Sequence, residues 1–305
     1  MKEVIGAIDK AVLVSELTQD KFLRKTNYGN NYIYVCSAHD SPSIMQEVGR
    51  LREITFRNAG GGTGKETDID SYDTANIPYK QLIVWDPVNQ EITGGYRYIE
   101  LNTIPKDNLK HFKLATQGLF EFSEKFIEDY LPYTIELGRS FIQPNFQSGS
   151  PTRKTLFAMD NLWNGLGALL VKNPGIKYFF GKVTMYTDYH KFARDLILYF
   201  MNHHFEDPQK LVYPIKPLHY HHSESELKKF FPTQDYDENI KILSKEVRLR
   251  GENIPPLINS YMSLSRTMKC FGTATNESFG DVEETGIMVK VDDIYESKKK
   301  RHMKL

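Results

Sequence analysis

The strand on which the fold is built reads Ile135-Glu136-Leu137-Gly138-Arg139-Ser140-Phe141-Ile142. Side chains alternate along a strand, which places Glu136 and Gly138 on one face and Leu137 and Arg139 on the other. Two opposite charges in a central strand are costly unless they are paired or lie in a cleft. A bulge near Gly138 would bring Glu136 and Arg139 to the same side. We therefore expect this strand to carry chemistry.

Before and after this strand in the sequence, predicted strands and helices alternate. Hydrophobic periodicity predicts further strands over 32–37, 81–85, 91–100, 177–185, 268–273 and 287–291. It predicts helices over 42–57, 118–130, 155–172 and 190–204, the first capped at Ser41-Pro42. This order indicates an α/β fold with a mixed central sheet and flanking helices. We expect a single domain over 1–305, with a core over about 30–205 and a C-terminal extension over 206–305 packed on the core or completing it.

Composition excludes several classes of protein. The 305 residues include 39 basic and 39 acidic side chains, and this zero net charge argues against a nucleic-acid binder. Two cysteines without metal-type spacing exclude a disulfide framework and fit a reducing compartment. No signal peptide and no apolar run of about 20 residues is evident. We expect a cytoplasmic protein and leave peripheral contact with the inner membrane open.

Four charged or glycine-rich segments could suggest a site. The glycine cluster over 58–65 lacks the residues of a phosphate loop, since Ala59 and Glu66 stand where Gly and Ser or Thr are needed, so we expect a flexible loop. The acidic run over 66–73 indicates a solvated loop from composition alone, and it lacks the glycine and distal glutamate of a calcium loop. The histidines over 219–222 are expected to be solvated, with no metal site. The basic run over 298–301 is expected to be a solvated, frayed terminus, with contact to acidic lipid or an acidic carrier protein as the alternative.

Several segments together resemble a known family. They are Arg52-Glu53-Ile54-Thr55-Phe56, Asp68-Ile69-Asp70-Ser71-Tyr72-Asp73, Gly95-Tyr96-Arg97, Glu136-Leu137-Gly138-Arg139-Ser140, Leu162-Trp163-Asn164-Gly165, Gly181-Lys182-Val183-Thr184 and the 254–261 segment with Pro-Pro-Leu. Their order resembles the GNAT-fold acyltransferases once called hemolysins, which include the N-acyltransferases of ornithine and glycine lipids. More distantly, it is similar to acyl-homoserine-lactone synthases.

The resemblance implies a GNAT-like sheet and an N-acyltransferase. Its donor would be a (3-hydroxy)fatty acyl thioester on acyl carrier protein or CoA, and its acceptor the α-amino group of a small amino acid such as glycine or ornithine. The reaction would be the first step of aminolipid synthesis and needs no cofactor or metal. In this fold the donor arm lies where two central strands splay apart, after the Glu136 strand. The alternatives are an acyl-homoserine-lactone-type synthase, or a non-catalytic membrane-interacting protein that retains the fold.

Roles for individual residues follow from the chemistry of aminolysis. Glu136 is the candidate base for the amine, and its alternative role is to orient Arg139 or Arg97 in a buried ion pair. The two arginines could grip the acceptor carboxylate or hold the acidic loop over the site. We assign Asp68, Asp70, Asp73, Phe141 and Ile142 to the substrate side. We assign Arg153, Lys154 and Trp163 to the donor side, where a basic pair beside a helix N-terminus suits the phosphate of a carrier arm.

Overall fold

The computed structural model describes residues 1–147 and 157–303, and strands and helices alternate along these ranges. The strands are β1 Phe22–Lys25, β2 Tyr32–Cys36, β3 Lys80–Asp86, β4 Glu91–Glu100, β5 Phe120–Phe122, β6 Thr134–Ile142, β7 Tyr178–Met185, β8 Val212–Pro214, β9 Lys269–Asn276 and β10 Val282–Lys290. The helices are α1 Lys10–Glu16, α2 Pro42–Asn58, α3 Ser71–Thr74, α4 Lys106–Leu109, α5 Ala158–Lys172, α6 Lys191–His204, α7 Glu224–Lys228, α8 Tyr236–Leu249, α9 Pro256–Met262 and α10 Glu296–His302. The predicted α/β class is confirmed.

The chain divides into two compact units. The first comprises Met1–Ile104, Tyr133–Lys177 and Tyr295–Leu305, and the second comprises Pro105–Pro132 and Tyr178–Ile294. The single domain that we expect from the sequence, with its core over about 30–205, stays a prediction.

In the first unit, five antiparallel strands lie in the order β1-β2-β3-β4-β6. The turn between β3 and β4 is held by Asp86, whose carboxylate accepts the backbone N–H groups of Val88 at 2.9 Å and Asn89 at 3.1 Å. α5 packs on β3 and β4. A Cβ atom on Gly165 would lie 2.6 Å from the side chain of Leu82, so glycine at this position lets the helix approach the sheet closely.

α2 begins where the sequence predicts, but a side chain from another helix completes its cap. Its apolar face is buried at Ile44, Val48, Leu51 and Thr55. The helix begins at Pro42, yet Ser41 makes no capping hydrogen bond. The carboxylate of Glu16 instead accepts the backbone N–H groups of Ser43 at 3.0 Å and Ile44 at 2.9 Å. Ser41 therefore stands at the predicted N-cap position, but a side chain from α1 satisfies these donors in place of its own hydroxyl.

In the second unit, β10 lies between β7 and β9 and pairs antiparallel with both, while β5 pairs with β8. The rings of Phe126, Phe180 and Phe271 pack together, with centroids 5.1 to 6.5 Å apart. The predicted helix over 118–130 is wrong: this segment contains β5 and a single π-helical turn over Phe126–Tyr130. Pairing with β8 overrides the local helical pattern, as tertiary contacts often do.

The basic C-terminal segment is a packed helix rather than a frayed end. α10 packs against α5, where Arg301 pairs with Asp160 and His302 is buried. A Cβ atom on Gly167 would lie 2.2 Å from the backbone oxygen of His302, so the two helices meet at a glycine. Within residues 1–147 and 157–303, no helix has both the length and the apolar character to cross a bilayer.

Candidate active site

β4 and β6 place two predicted site residues on one face of the sheet. Arg97 lies opposite Gly138, and Ile99 lies opposite Glu136. Because opposed residues of an antiparallel pair point to the same face, Arg97 and Glu136 share a face. They are only 3% and 1% exposed. Two charged side chains therefore lie deep in the protein, where each needs a partner.

β6 contains the bulge that the sequence predicts near Gly138. Between two successive pairs with β4, β6 has one residue more than its neighbour. Arg139 has a φ of +47°, in the left-handed region that residues other than glycine rarely adopt. Its Nη2 lies 3.9 Å from Asp70 Oδ2, the same oxygen that Arg97 binds. The bulge thus brings Arg139 to the face of Arg97 and Glu136, as predicted.

The acidic run is folded into the protein instead of being solvated. Asp68 and Asp73 are both 0% exposed. Asp70 caps α3 by accepting the backbone N–H of Tyr72 at 2.9 Å, and the Asp73 carboxylate accepts the backbone N–H of Asp70 at 3.1 Å. This capping box fixes both carboxylates relative to the short helix. The solvated-loop interpretation is wrong because these carboxylates have cationic partners.

Three arginines hold the three aspartates. Arg97 Nη1 lies 2.7 Å from Asp70 Oδ2 and 3.3 Å from Asp73 Oδ2. Arg139 Nε lies 2.9 Å from Asp68 Oδ2. Arg52 completes the group, which we call the arginine–aspartate network: Arg52, Arg97, Arg139, Asp68, Asp70 and Asp73. Its formal charges cancel, and it fastens the acidic loop to β4 and β6.

Arg52 enters the network from α2, and sequence reasoning did not single it out. Its Nε lies 3.1 Å from Asp68 Oδ2 and its Nη2 lies 3.0 Å from Asp73 Oδ2. Its Nη1 donates to Gln81 Oε1 at 3.2 Å, and Gln81 Nε2 donates to Asp73 Oδ1 at 2.9 Å. A signal was present in the sequence, since Arg52 lies four residues after Val48 on the buried face of α2. A charge at such a position needs a buried partner.

Electrostatics keep the network ionised. Burial alone would raise the pKa of Asp73, but Arg52 and Arg97 outweigh it and hold this pKa well below its ordinary value. The pKa of Asp68 is lowered in the same way, against burial, by Arg52 and then Arg139. Burial alone would lower the pKa of Arg97, and Asp73 and Asp70 raise it instead. Asp68, Asp73 and Arg97 therefore stay charged over the whole physiological range.

Glu136 has a partner that the sequence did not indicate. The hydroxyl of Tyr79, which is 2% exposed and directly precedes β3, donates to Glu136 Oε2. The guanidinium of Arg97 lies 5.2 Å from the centre of the Tyr79 ring and 5.7 Å from that of Tyr72. Burial raises the pKa of Tyr72, and the charges of Glu136 and then Asp70 raise it further. The glutamate is thus held by a phenol beside the network.

Phe141 and Ile142, predicted on the substrate side, lie at the other end of the bulge. Phe141 is buried and packs over Gly95. A Cβ atom on Gly95 would lie 3.1 Å from the Phe141 ring and 2.8 Å from a backbone oxygen of β3. Ile142 is half-buried opposite Gly94. Gly94 and Gly95 therefore mark a close approach to the backbone.

Of the predicted donor-side residues, the structure describes only Trp163. Arg153 and Lys154 lie outside the described residues. Trp163 is buried on α5, where its ring centre lies 6.3 Å from that of His302. Its observed contact is with the C-terminal helix.

The glycine cluster binds an anion that the chain itself supplies. Glu53 is 0% exposed, and its carboxylate accepts the backbone N–H groups of Thr63 at 3.0 Å and Gly64 at 2.7 Å. Arg57 donates to the same carboxylate at 2.7 Å. Glu53 lies next to Arg52, so consecutive residues of α2 hold the glycine loop and the acidic loop. A loop expected to be flexible therefore has specific contacts.

The histidine run over 219–222 is tied to a carboxylate and is not simply solvated. His222 Nδ1 lies 2.8 Å from Asp195 Oδ2, which also accepts the backbone N–H of His221 at 2.8 Å. Among the described residues, no group of three or more His, Cys, Asp or Glu side chains is arranged to hold a metal ion. That the reaction needs no metal or cofactor stays a prediction.

The site contains one buried carboxylate, that of Glu136, beside the arginine–aspartate network, whose formal charges cancel. Glu136 can accept a proton from a nearby amine while Tyr79 fixes its orientation. The arginines are already bonded to aspartates, so their contacts position the acidic loop. Whether Arg97 and Arg139 also bind an acceptor carboxylate stays a prediction.

Comparison with known proteins places this geometry in a family. Residues 51–156 match the family described as Acetyltransferase (GNAT) domain, which confirms the predicted GNAT-like fold. The chain is 54% identical over 303 residues to a glycine N(alpha)-acyltransferase of Phocaeicola vulgatus, covering 99% of this chain and 93% of that protein. It is also 54% identical over 303 residues to a glycine N(alpha)-acyltransferase of Bacteroides thetaiotaomicron, covering 99% and 90%.

Two solved structures also align with most of the chain. The acyl-homoserine-lactone synthase LasI aligns at a TM-score of 0.39 and 14% identity, over 85% of this chain and 88% of its own. FeeM, an N-acyl amino acid synthase from uncultured soil microbes, aligns at a TM-score of 0.40 and 9% identity, over 86% and 91%.

Proposed function

The chain belongs to the family of the glycine N(alpha)-acyltransferases, and from that premise we propose that it joins a fatty acyl group to the α-amino group of glycine. It is an N-acyltransferase. The observation that supports glycine as the acceptor is the 54% identity, over 99% of the chain, to two proteins named glycine N(alpha)-acyltransferase. Of the two acceptors considered from the sequence, this favours glycine over ornithine.

The chemistry requires a neutral amine and a departing thiolate. The α-amino group loses a proton to Glu136, directly or through one water, and its nitrogen lone pair attacks the thioester carbonyl. The tetrahedral intermediate then collapses and the carbon–sulfur bond breaks. The nitrogen passes its second surplus proton to the departing thiolate, and the thiol leaves as the amide forms. A free α-amino group has a pKa of about 8, so a carboxylate base assists it at modest cost.

The supporting residues have distinct tasks in this proposal. Tyr79 fixes the carboxylate of Glu136 by the hydrogen bond to Oε2. Arg97 and Arg139 lock the loop of Asp68, Asp70 and Asp73 against the strands that carry the base. Phe141 and Ile142 line the substrate side.

We further propose acyl carrier protein as the donor, with a 3-hydroxyacyl chain. What supports this is the sequence after β6, which contains no glycine-rich pyrophosphate loop of the kind that many CoA-dependent relatives have. Arg153 and Lys154 would hold the phosphate of the carrier arm. The product, an N-acyl amino acid, is an amphiphile, so the reaction would be the first step of an aminolipid pathway, carried out in the cytoplasm with the inner membrane as the destination of the lipid.

One assay separates these possibilities. Purified protein receives an acyl-carrier thioester with glycine, ornithine or S-adenosylmethionine, thiol release is followed, and the products are identified by mass spectrometry. We expect N-acylglycine. N-acylornithine would contradict the acceptor, and a lactone from S-adenosylmethionine would support the acyl-homoserine-lactone alternative. Tight carrier binding without thiol release from any amine would contradict the proposed reaction.

A further inference from the structure

α8 presents a row of cations on its exposed side. Lys241, Lys245 and Arg248 recur about one helical turn apart, and all three are exposed. A shallow groove runs along this side of the helix, lined by Ile240, Lys241, Ser244, Lys245, Arg248 and Leu249. Leu249 is 69% exposed. This surface, which we call the α8 groove, combines positive charge with apolar area.

The three cations of the α8 groove are uncompensated. In the part of the chain that the structure describes, none of them forms a salt bridge or a side-chain hydrogen bond. Acidic side chains of the same helix are engaged elsewhere: Glu246 with Arg250 at 2.8 Å and Asp237 with Arg266 at 2.6 Å. A chain of zero net charge thus carries a local row of three cations without carboxylate partners.

The opposite side of α8 is anchored. Leu243 and Val247 are both 0% exposed, and the helix packs against α6. At the N-terminus, Asp235 caps the helix by accepting the backbone N–H of Glu238 at 2.8 Å. The cations therefore project from a fixed helix, which lowers the entropic cost of docking a partner.

We propose that the α8 groove docks an acidic helix of the carrier protein that delivers the acyl thioester. The row from Lys241 to Arg248 is about 10 Å long, which matches carboxylates spaced one turn apart along a helix. A groove along a single helix accepts a projecting element, whereas binding to a bilayer needs a broad apolar face. Charge complementarity of this kind sets the encounter rate and the orientation of a partner.

This inference rests on the proposed function, because only a protein-bound donor needs a docking surface. Its test compares two donors that carry the same acyl group, one on acyl carrier protein and one on pantetheine alone. The triple variant Lys241→Glu/Lys245→Glu/Arg248→Glu reverses the charge of all three residues of the row. The control is Lys216→Glu/Lys228→Glu/Lys229→Glu, which makes the same change in net charge at exposed lysines outside the groove.

We expect the triple variant to lose about tenfold or more in kcat/KM with the carrier donor. Its kcat/KM with the pantetheine donor and both values of the control variant should stay near the wild type. With wild-type protein, KM for the carrier donor should rise with sodium chloride concentration, since exposed charges are screened by salt. The neutral variant Lys241→Gln/Lys245→Gln/Arg248→Gln should lose less kcat/KM with the carrier donor than the charge-reversed triple variant. If the charge-reversed variant does not fold, the neutral variant is tested in its place.

Several results would overturn the docking surface. They are an unchanged kcat/KM with the carrier donor, equal losses with both donors, and an equal loss in the control variant. Loss of binding to vesicles of anionic phospholipid, with unchanged carrier kinetics, would assign the groove to a membrane and also overturn it. Failure of the proposed function is seen separately, as a wild-type protein that acylates glycine from neither donor. In that case the docking surface is tested by binding alone. It stands if the triple variant binds the carrier protein more weakly than wild type and the control variant do, and it is overturned if all three bind equally.

Discussion

Glu136 and Tyr79 form a buried carboxylate–phenol pair, and the two have different tasks in the proposed reaction. The glutamate accepts a proton, whereas the tyrosine only orients it. Glu136→Gln keeps the shape and the hydrogen bond acceptor but loses the basic oxygen. We expect turnover to fall about 10²- to 10⁴-fold, and Tyr79→Phe to lower it by roughly tenfold through the loss of one hydrogen bond. Steady-state kinetics with glycine measure both.

The control for this pair is Glu100→Gln, a buried glutamate of β4 that pairs with Lys80 at 2.6 Å. Its turnover should stay close to the wild type. If Glu136→Gln keeps full turnover but lowers the melting temperature, Glu136 is a structural partner of Tyr79 and not the base.

Burial decides how much each arginine of the network contributes to stability. Arg97 is 3% exposed, and its removal leaves Asp70 without its two closest nitrogen contacts. We expect Arg97→Met to lower the free energy of unfolding by about 3–5 kcal/mol. Arg139→Met should cost less, because its side chain is 16% exposed and Asp68 keeps Arg52.

Urea denaturation gives these free energies directly. Lys110→Met serves as the control, since its pair with Glu128 is exposed on both sides and surface pairs of this kind contribute little to stability. An equal loss for Arg97→Met and Lys110→Met would contradict the view that burial makes the network stabilising.

Among the elements, regular periodicity made most boundaries predictable. β3, β4, β6, α5 and α6 lie within a few residues of the predicted ranges, because each is a long, largely buried run that the sequence shows as apolar. β5 was missed because it has only three residues and is defined by pairing with β8, far along the chain. The fate of a short segment depends on such a partner, which local sequence does not show.

The sequence predicted some residues of the candidate site and missed others. Glu136 and Arg139 are opposite charges in a strand, where charge is costly, and this marked them. Arg97 and the aspartates were marked through the family resemblance, since composition alone indicated a solvated acidic loop. Arg52 and Tyr79 were not identified, although Arg52 had a signal in the apolar face of α2. Tyr79 looks like an ordinary residue before a strand, and only the approach of β6 makes it the partner of Glu136.

The contact between α5 and α10 depends on a glycine. A Cβ atom on Gly167 would lie 2.2 Å from the backbone oxygen of His302, which no side-chain rotation can relieve. We expect Gly167→Ala to release α10 and to expose its basic run to trypsin. The control is Gly175→Ala, where a Cβ atom meets nothing within 4 Å. Equal resistance of the two variants to limited proteolysis would show that α10 is held by other contacts.

At the scale of the whole molecule, a buried histidine of the first unit and a half-buried histidine of the second resist protonation. Burial lowers the pKa of His302 in the first unit and His204 in the second to about 4. Unfolded histidines titrate near pH 6.5. Between about pH 6.5 and 4 the unfolded chain therefore binds more protons than the folded one. The free energy of unfolding should fall as the pH is lowered through this window.

Acid should then act a second time, through the arginine–aspartate network. The pKa values of Asp68 and Asp73 lie below the ordinary value of 3.8, so their contribution to stability is complete above that pH and is lost as the pH falls below it. Urea midpoints measured from neutral pH down to the acid limit should show both steps. The variant His204→Gln/His302→Gln should flatten the first step and leave the second in place, because the histidines and the aspartates titrate in separate windows. A first step of unchanged slope in this variant would assign it to other groups.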